Sequence, residues 1–358
     1  MTAATIRSFN RTLLLACAPF VGLLICLYIS QVELKLSDEA FPSHEIAQPN
    51  PALHSATSID GLGQAELLAK GTGQSIKKQI TLYNKTNANM KEIATIASKQ
   101  AARPYQIYDR RITNKLGSPS GTIQSDKLQA QLFHLDTQNF RAYALKVKLK
   151  KDDAMKLVLG KDVQGGAETT LEAVKRNNAA IGVNAGGFAD SAGKRYPLST
   201  TIVEGEYVGG FQATFKDLFF VGMSENNKLI GGKFTSKAQL DEQSPKFGAS
   251  FVPVLLQNGR KTEIPSKWQT SPKRAPRTVI ANYKDDQLLF LVVDGYNEKG
   301  SSGATLAEMQ ILLQRYGAVN GYNLDGGGST SLVWNGRVIN NPSDGQLRKL
   351  PTNFLFFK

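Results

Sequence analysis

The 358-residue chain carries 43 Lys and Arg against 30 Asp and Glu, a formal net charge of +13, and 41% of its residues are hydrophobic. That apolar share is ordinary for a globular protein and excludes a disordered or collagen-like chain, while the length admits one large domain with extensions or two small ones. The two cysteines, Cys17 and Cys26, share one apolar run, so the rest of the chain has no disulfide, thiol nucleophile or cysteine metal site.

Residues 1–11 hold Arg7 and Arg11 and no acid, and the apolar run 12–30 is about long enough to span a bilayer. Acids Glu33, Asp38 and Glu39 follow it, which predicts a cytoplasmic N-terminus and a globular part outside the cytoplasm. A cleaved signal peptide is the rival reading. Ala16-Cys17-Ala18 lies early in the run and the residues near Ser30 are bulky, which favours an uncleaved, single-pass anchor.

Residues 31–63 are rich in Pro, Ser and Ala and read as a tether. Residues 64–124 form a basic, partly helical region, in which Met90, Ile93, Ala94, Ile96 and Ala97 mark a helical face within Asn87–Ala102. From Glu66 to Lys115 there are ten Lys and Arg against three acids. This surplus suits either a solvated helix face or contact with lipid headgroups or an anionic polymer; nucleic acid is not an expected partner.

The catalytic-type domain is expected over 125–358. Its first strands fall between Gln131 and Leu149 and at Leu157–Leu159, followed by an amphipathic stretch Thr170–Asn178, a strand Ala179–Val183 and Asn184-Ala-Gly-Gly-Phe188. Thr200–Val208 and Leu218–Gly222 read as hairpin strands punctuated by Glu204-Gly205 and Gly209-Gly210, and Phe251–Gln257 as a strand before the turn Asn258-Gly259. Gln287–Val293 is a buried strand ending at Asp294-Gly295. A helix with a Thr305-to-Glu308 capping box then stops at Gly317, and Val319–Leu324 is the next strand. This order predicts a right-handed crossover with parallel strands, which puts Asp294 and Asp325 at carboxyl ends on one edge. The fold class is α+β (or α/β), a mixed sheet with packed helices, preceded by the transmembrane helix and the basic region.

The stretch Asn320–Ser331 contains Asp325-Gly-Gly-Gly-Ser329, which must turn and leaves backbone N–H groups and the hydroxyls of Ser329, Thr330 and Ser331 facing outward, a layout that suits a phosphate or sugar oxygen. In order and spacing, Asn184–Phe188, Ala275-Pro-Arg-Thr278, Val293-Asp-Gly295, Gly303-Ala-Thr305 and Asn323–Ser329 resemble the phosphodiester glycosidase family, from about Leu132 onward. The resemblance implies a hydrolase of sugar-phosphate diesters. Bacterial relatives of this kind are often labelled exopolysaccharide biosynthesis proteins, which implies an envelope or extracellular polysaccharide substrate; with the anchor read from the N-terminal run, the expected place is the bacterial inner (cytoplasmic) membrane, with a periplasmic or extracellular domain. One departure is the Ala185 insertion, where the eukaryotic pattern is Asn-Gly-Gly-Phe.

Only His44, His54 and His134 are present, so a histidine triad would rest on His134 alone. Zinc is not expected, and a hard cation such as Ca²⁺ or Mg²⁺ on Asp and Asn oxygens stays open as the cofactor class. Asp325 is the first catalytic candidate, against a role as turn cap, and Asp294 the second. Arg277, with Thr278 beside it, is a bidentate phosphate ligand or a structural ion pair. Asn184, Gly186, Gly187, Asn323, Gly326, Gly327, Gly328, Ser329 and Ser331 complete the candidate binding set. Thr200 and Thr305 also match positions around the family's motifs. Two rivals remain, a non-catalytic anionic-glycan-binding protein and a phosphodiesterase attacking phosphorus.

Overall fold

The computed structural model describes residues 54–295 and 303–358. The expected anchor, 12–30, lies outside the described residues, among which no helix is long and apolar enough to cross a membrane. Contacts divide the chain into two units, Met1–Lys91 and Glu92–Lys358.

The described part of the first unit is entirely helical and belongs to a helix of 63 residues, His54–Leu116. This helix is longer than the expected Asn87–Ala102 stretch, and His54–Gly63 of the expected tether belongs to it. No proline falls between Pro51 and Pro104, so nothing interrupts the backbone ladder from His54 to Arg103. Leu62, Leu67, Ile76, Ile80 and Tyr83 are exposed along it.

The second unit is built from antiparallel strands. An eight-stranded sheet runs, in spatial order, through Gly121–Gln124, Leu128–Asp136, Arg141–Leu149, Leu288–Val293, Arg277–Asn282, Asn320–Leu324, Val254–Gln257 and Arg260–Lys261. A five-stranded sheet orders Arg337–Val338, Leu332–Trp334, Ile181–Asn184, Thr352–Phe356 and Met155–Leu159. A second one orders Leu229–Gly232, Phe219–Ser224, Pro245–Phe251, Ile202–Val203 and Glu206–Tyr207. The three sheets enclose one core, to which Leu145, Phe290 and Tyr322 come from the first, Val183 and Phe354 from the second, and Phe219 and Phe247 from the third.

Each sheet is covered on its outer face by helix. Leu306–Tyr316 and the last turns of the long helix, through Ile112 and Leu116, seal the eight-stranded sheet. Thr170–Arg176 covers the first five-stranded sheet through Ala173 and Val174, and Lys237–Asp241 covers the second through Leu240. The domain sheet therefore begins at Gly121, and its core takes in Ile112 and Leu116, ahead of the boundary expected at residue 125. Buried Lys146 fixes the same helix to the sheet, with Asp109 at 2.6 Å and Thr113 at 2.8 Å.

The turns at Glu204-Gly205 and Asn258-Gly259 have positive φ at both residues and close tight hairpins, as their composition predicts. The mixed sheet is corrected, because every strand pairing among the described residues is antiparallel. Leu288–Val293 and Asn320–Leu324 do run in the same direction, but Arg277–Asn282 lies between them and pairs with both. Their shared direction is what keeps Asp294 and Asp325 at one edge, near Pro276 and Arg277 in the register.

Candidate active site

Asn184 is the knot of this edge. It ends the Ile181–Asn184 strand and is fully buried. Its Nδ2 donates to the Asp325 carbonyl at 2.6 Å, while its Oδ1 accepts from Thr278 Oγ1 at 2.8 Å and from the Ser331 N–H at 3.1 Å. One side chain thus joins three of the sequence motifs, and its polar atoms are engaged in holding the site together. Thr278 is likewise fully buried and faces Asn184.

Ser331 belongs to the same buried row. Its Oγ sits 2.6 Å from Thr170 Oγ1, which donates to Asn353 Oδ1 at 2.7 Å. Gly186 and Gly187 pack against the protein's own backbone and rings. A Cβ on Gly186 would meet Ala249 Cβ at 2.6 Å, and one on Gly187 would meet the Phe251 ring at 2.6 Å. These positions need glycine to close the sheets on each other. Asn323, also buried, donates from Nδ2 to the Val252 carbonyl at 2.7 Å, and its Oδ1 accepts no hydrogen bond.

Arg277 is buried, with Nε donating to the Ala304 carbonyl at 3.1 Å and Nη2 to the Pro272 carbonyl at 3.0 Å. Ala275 and Ala304 form a β-bridge, and Arg274 reaches the Gly303 carbonyl and Glu308, which caps the Leu306–Tyr316 helix with Thr305. The Ala275–Thr278 and Gly303–Thr305 motifs therefore make a clasp, and Arg277 is spent on it.

Asp325 is different. It is half-buried; Oδ1 accepts from the Gly326 N–H at 3.0 Å, while Oδ2 is shut off from solvent and accepts no hydrogen bond. Burial pushes its carboxyl up to about 6, against the downward pull of the Ser329 hydroxyl, the Gly326 N–H and the Arg348 and Arg195 guanidiniums. Asp294 is almost fully buried, and its Oδ1 accepts from the Asn341 N–H at 2.8 Å. Its carboxyl is also raised to about 6 by burial, opposed by Asn341, Arg141 and Asn340. Asp294 precedes 296–302, which lie outside the described residues.

The glycine turn Gly326–Ser329 closes after Asp325, with Gly327 at φ +59°. A Cβ on Gly328 would collide with Asp344 Oδ2 and Arg348 Nη2, so that glycine admits the Arg348–Asp344 pair. Arg348 Nη1 lies 3.4 Å from the Ser329 hydroxyl. Arg195, on the hairpin Phe188–Ser191 and Lys194–Pro197, stacks 4.1 Å over the Phe188 ring. Neither Arg195 nor Arg348 stands out in the sequence analysis. The available signals were their spacings from Asp190 and Asp344. Among the described residues no group of three or more His, Cys, Asp and Glu converges as a metal site.

A family model described as phosphodiester glycosidase matches residues 177–357, just over half of the chain. The SPbeta prophage-derived uncharacterized protein YomE of Bacillus subtilis is 26% identical over 181 residues, 50% of this chain and 28% of that protein. The N-acetylglucosamine-1-phosphodiester alpha-N-acetylglucosaminidase of Homo sapiens is 31% identical over 137 residues, 34% of this chain and 26% of that protein. The chain spans about a third or less of the length of these curated relatives. Among solved structures, the catalytic domain of the zebrafish N-acetylglucosamine-1-phosphodiester alpha-N-acetylglucosaminidase matches with a TM-score of 0.53 at 20% identity, over 68% of this chain and 87% of that one. That likeness is one of fold.

Proposed function

The chain belongs to the phosphodiester glycosidase family, and from that premise we propose that it hydrolyses the bond between a sugar's anomeric carbon and a phosphodiester oxygen. The observation that carries this reading is the Asp325 carboxyl, anchored through one oxygen to the Gly326 N–H at the start of a glycine turn and set beside Ser329, Arg348 and Arg195. Glycosidases place a carboxylate beside the anomeric carbon as nucleophile or as base for water. A carboxyl near 6 is ionised to a large extent at neutral pH and still basic enough to take a proton. The leaving phosphate monoester spreads its own charge, so the reaction depends less on a separate acid than ordinary glycoside cleavage does.

In this mechanism the Asp325 carboxylate acts at the anomeric carbon, directly or through water. Asp294 supports the same edge through Asn341. Asn184, Thr278 and Ser331 hold the geometry, and Arg277 fixes the clasp beside it.

The test is release of free sugar from UDP-N-acetylglucosamine and a panel of synthetic sugar phosphodiesters, run in ¹⁸O-water. Turnover should be lost in Asp325→Asn with the fold retained, and label should enter the sugar. Label in the phosphate would identify attack on phosphorus, and saturable glycan binding without product would identify a binding protein.

We place the substrate in an envelope or extracellular polysaccharide because the basic residues Arg7 and Arg11 precede an apolar run of membrane-spanning length. Protease accessibility of the domain in intact and permeabilised cells checks that placement, and cleavage only after permeabilisation of the inner membrane would refute it.

A further inference from the structure

Two arginines, Arg348 and Arg195, lie close enough to Asp325 to act on its carboxyl, and neither forms an ion pair with it among the described residues. Arg348 is held by Asp344, with Nη2 to Oδ2 at 2.7 Å and Nε to the same oxygen at 3.2 Å. That leaves Nη1 to point towards the Ser329 hydroxyl, on the turn that follows Asp325. Arg195 is fixed by a two-pronged contact to Asp190, 2.8 and 2.9 Å, and by its stack on Phe188. Its Nη1 donates to the carbonyl of Lys349, the residue after Arg348. The two arginine-bearing segments are therefore tied together near the carboxyl.

Each arginine arrives with its own acid, so the pair itself contributes orientation more than surplus charge. Positive charge beyond these pairs comes from the exposed sequence neighbours Lys194 and Lys349, the latter also acting on Glu172. Only Nη1 of Arg348 lacks an acid partner, and its N–H groups, next to the Ser329 hydroxyl, make a donor set for the monoanionic phosphate of a diester. Exposure of about a third for Arg348 and a quarter for Arg195 leaves both reachable from solvent.

We infer that Arg348, positioned over Gly328 by Asp344 and tied to Arg195 through Lys349, receives the phosphate of the diester, with Ser329 as an adjoining donor. This assignment rests on the glycosidase reading for its substrate. It moves the phosphate from Arg277, whose Nε and Nη2 are committed to backbone carbonyls, to the Arg348–Asp344 pair that faces Gly328. Gly328 then matters because a side chain there would push the Arg348–Asp344 pair aside. The leaving group is a sugar- or lipid-linked phosphate rather than a neutral alcohol.

The experiment measures binding of N-acetylglucosamine 1-phosphate to the full chain by calorimetry, together with KM and kcat on the best diester of the panel. Arg348→Gln is expected to weaken binding at least tenfold and to raise KM more than it lowers kcat. Arg348→Lys should recover part of the loss, Arg195→Gln should weaken binding a few-fold, and Gly328→Ala should resemble Arg348→Gln. Lys127→Gln, on a distant face, is the control. Unchanged binding and KM in both arginine variants, with turnover intact, would overturn the clamp and leave the glycosidase standing. Arg348-dependent binding with no turnover of any diester would do the reverse. A wild-type protein that does not bind the sugar phosphate at all also overturns the clamp.

Discussion

The two raised carboxyls make opposite demands on the protein. Asp294 and Asp325 both sit near 6 instead of their ordinary 3.8, because burial favours the neutral acid. Their contribution to stability is therefore complete below about pH 4 and is lost as pH rises through about 6. For the almost fully buried Asp294 the loss is about 3 kcal/mol; for Asp325, which is partly exposed, it is smaller. Asp294→Asn removes an ionisation and keeps an oxygen for the Asn341 N–H, so the variant should melt several degrees above wild type at pH 8 and equal it near pH 4. Thermal scans across that range decide the matter, and parallel curves would show that Asp294 is not the titrating group. Turnover should behave in the other sense, rising with pH through about 6 as Asp325 ionises, and a rate falling over that interval would make Asp325 the acid. The sequence placed both aspartates correctly at strand ends. It could not show that Arg277 is enclosed by carbonyls or that Arg348 returns to the turn, since neither follows from local spacing.

At the level of elements, the edge depends on one buried amide. Removing the Asn184 side chain leaves the Asp325 carbonyl, the Thr278 hydroxyl and the Ser331 N–H without their partner. Buried groups stranded in this way cost about 1–3 kcal/mol each, so Asn184→Ala should lower unfolding free energy by about 3–5 kcal/mol in urea titration. A loss under 1 kcal/mol would mean that water replaces the amide. The capped helix Leu306–Tyr316 and the strands on either side of it were legible from periodicity, capping box and Gly317. The strand Arg277–Asn282 was not, although it divides them. A short apolar run tells how deeply a strand is buried but not which neighbour it takes, and a helix between two strands suggests adjacency that a third strand is free to break. Direction survived where adjacency failed, which is why Asp294 and Asp325 still follow strands that end at the same edge.

For the molecule as a whole, the second unit needs more chain than its sheets. Ile112 and Leu116 are core residues, and Lys146 depends on Asp109 and Thr113 from the same helix. A chain starting at Glu92 should unfold cooperatively. One starting at Ser120 should be weaker by on the order of 5 kcal/mol, from two lost apolar anchors and a buried ammonium stripped of its acid. Equal urea midpoints for the two would show that the helix end is dispensable. The tether composition hid the early start of that helix, because polar and small residues suit a solvated helix as well as a linker.

Strand Thr352–Phe356 lies inside its sheet, hydrogen-bonded to Met155–Leu159 on one flank and to Ile181–Asn184 on the other. Those two partners are made some 170 to 200 residues earlier in synthesis, and until Thr352–Phe356 joins them they have no strand between them. Asn184, whose amide sets the Asp325 edge, stands on that gap. The edge that carries Asp325 is thus completed by the strand made last of the three, and a chain cut before Thr352 is expected to leave Asn184 without the neighbour that flanks it.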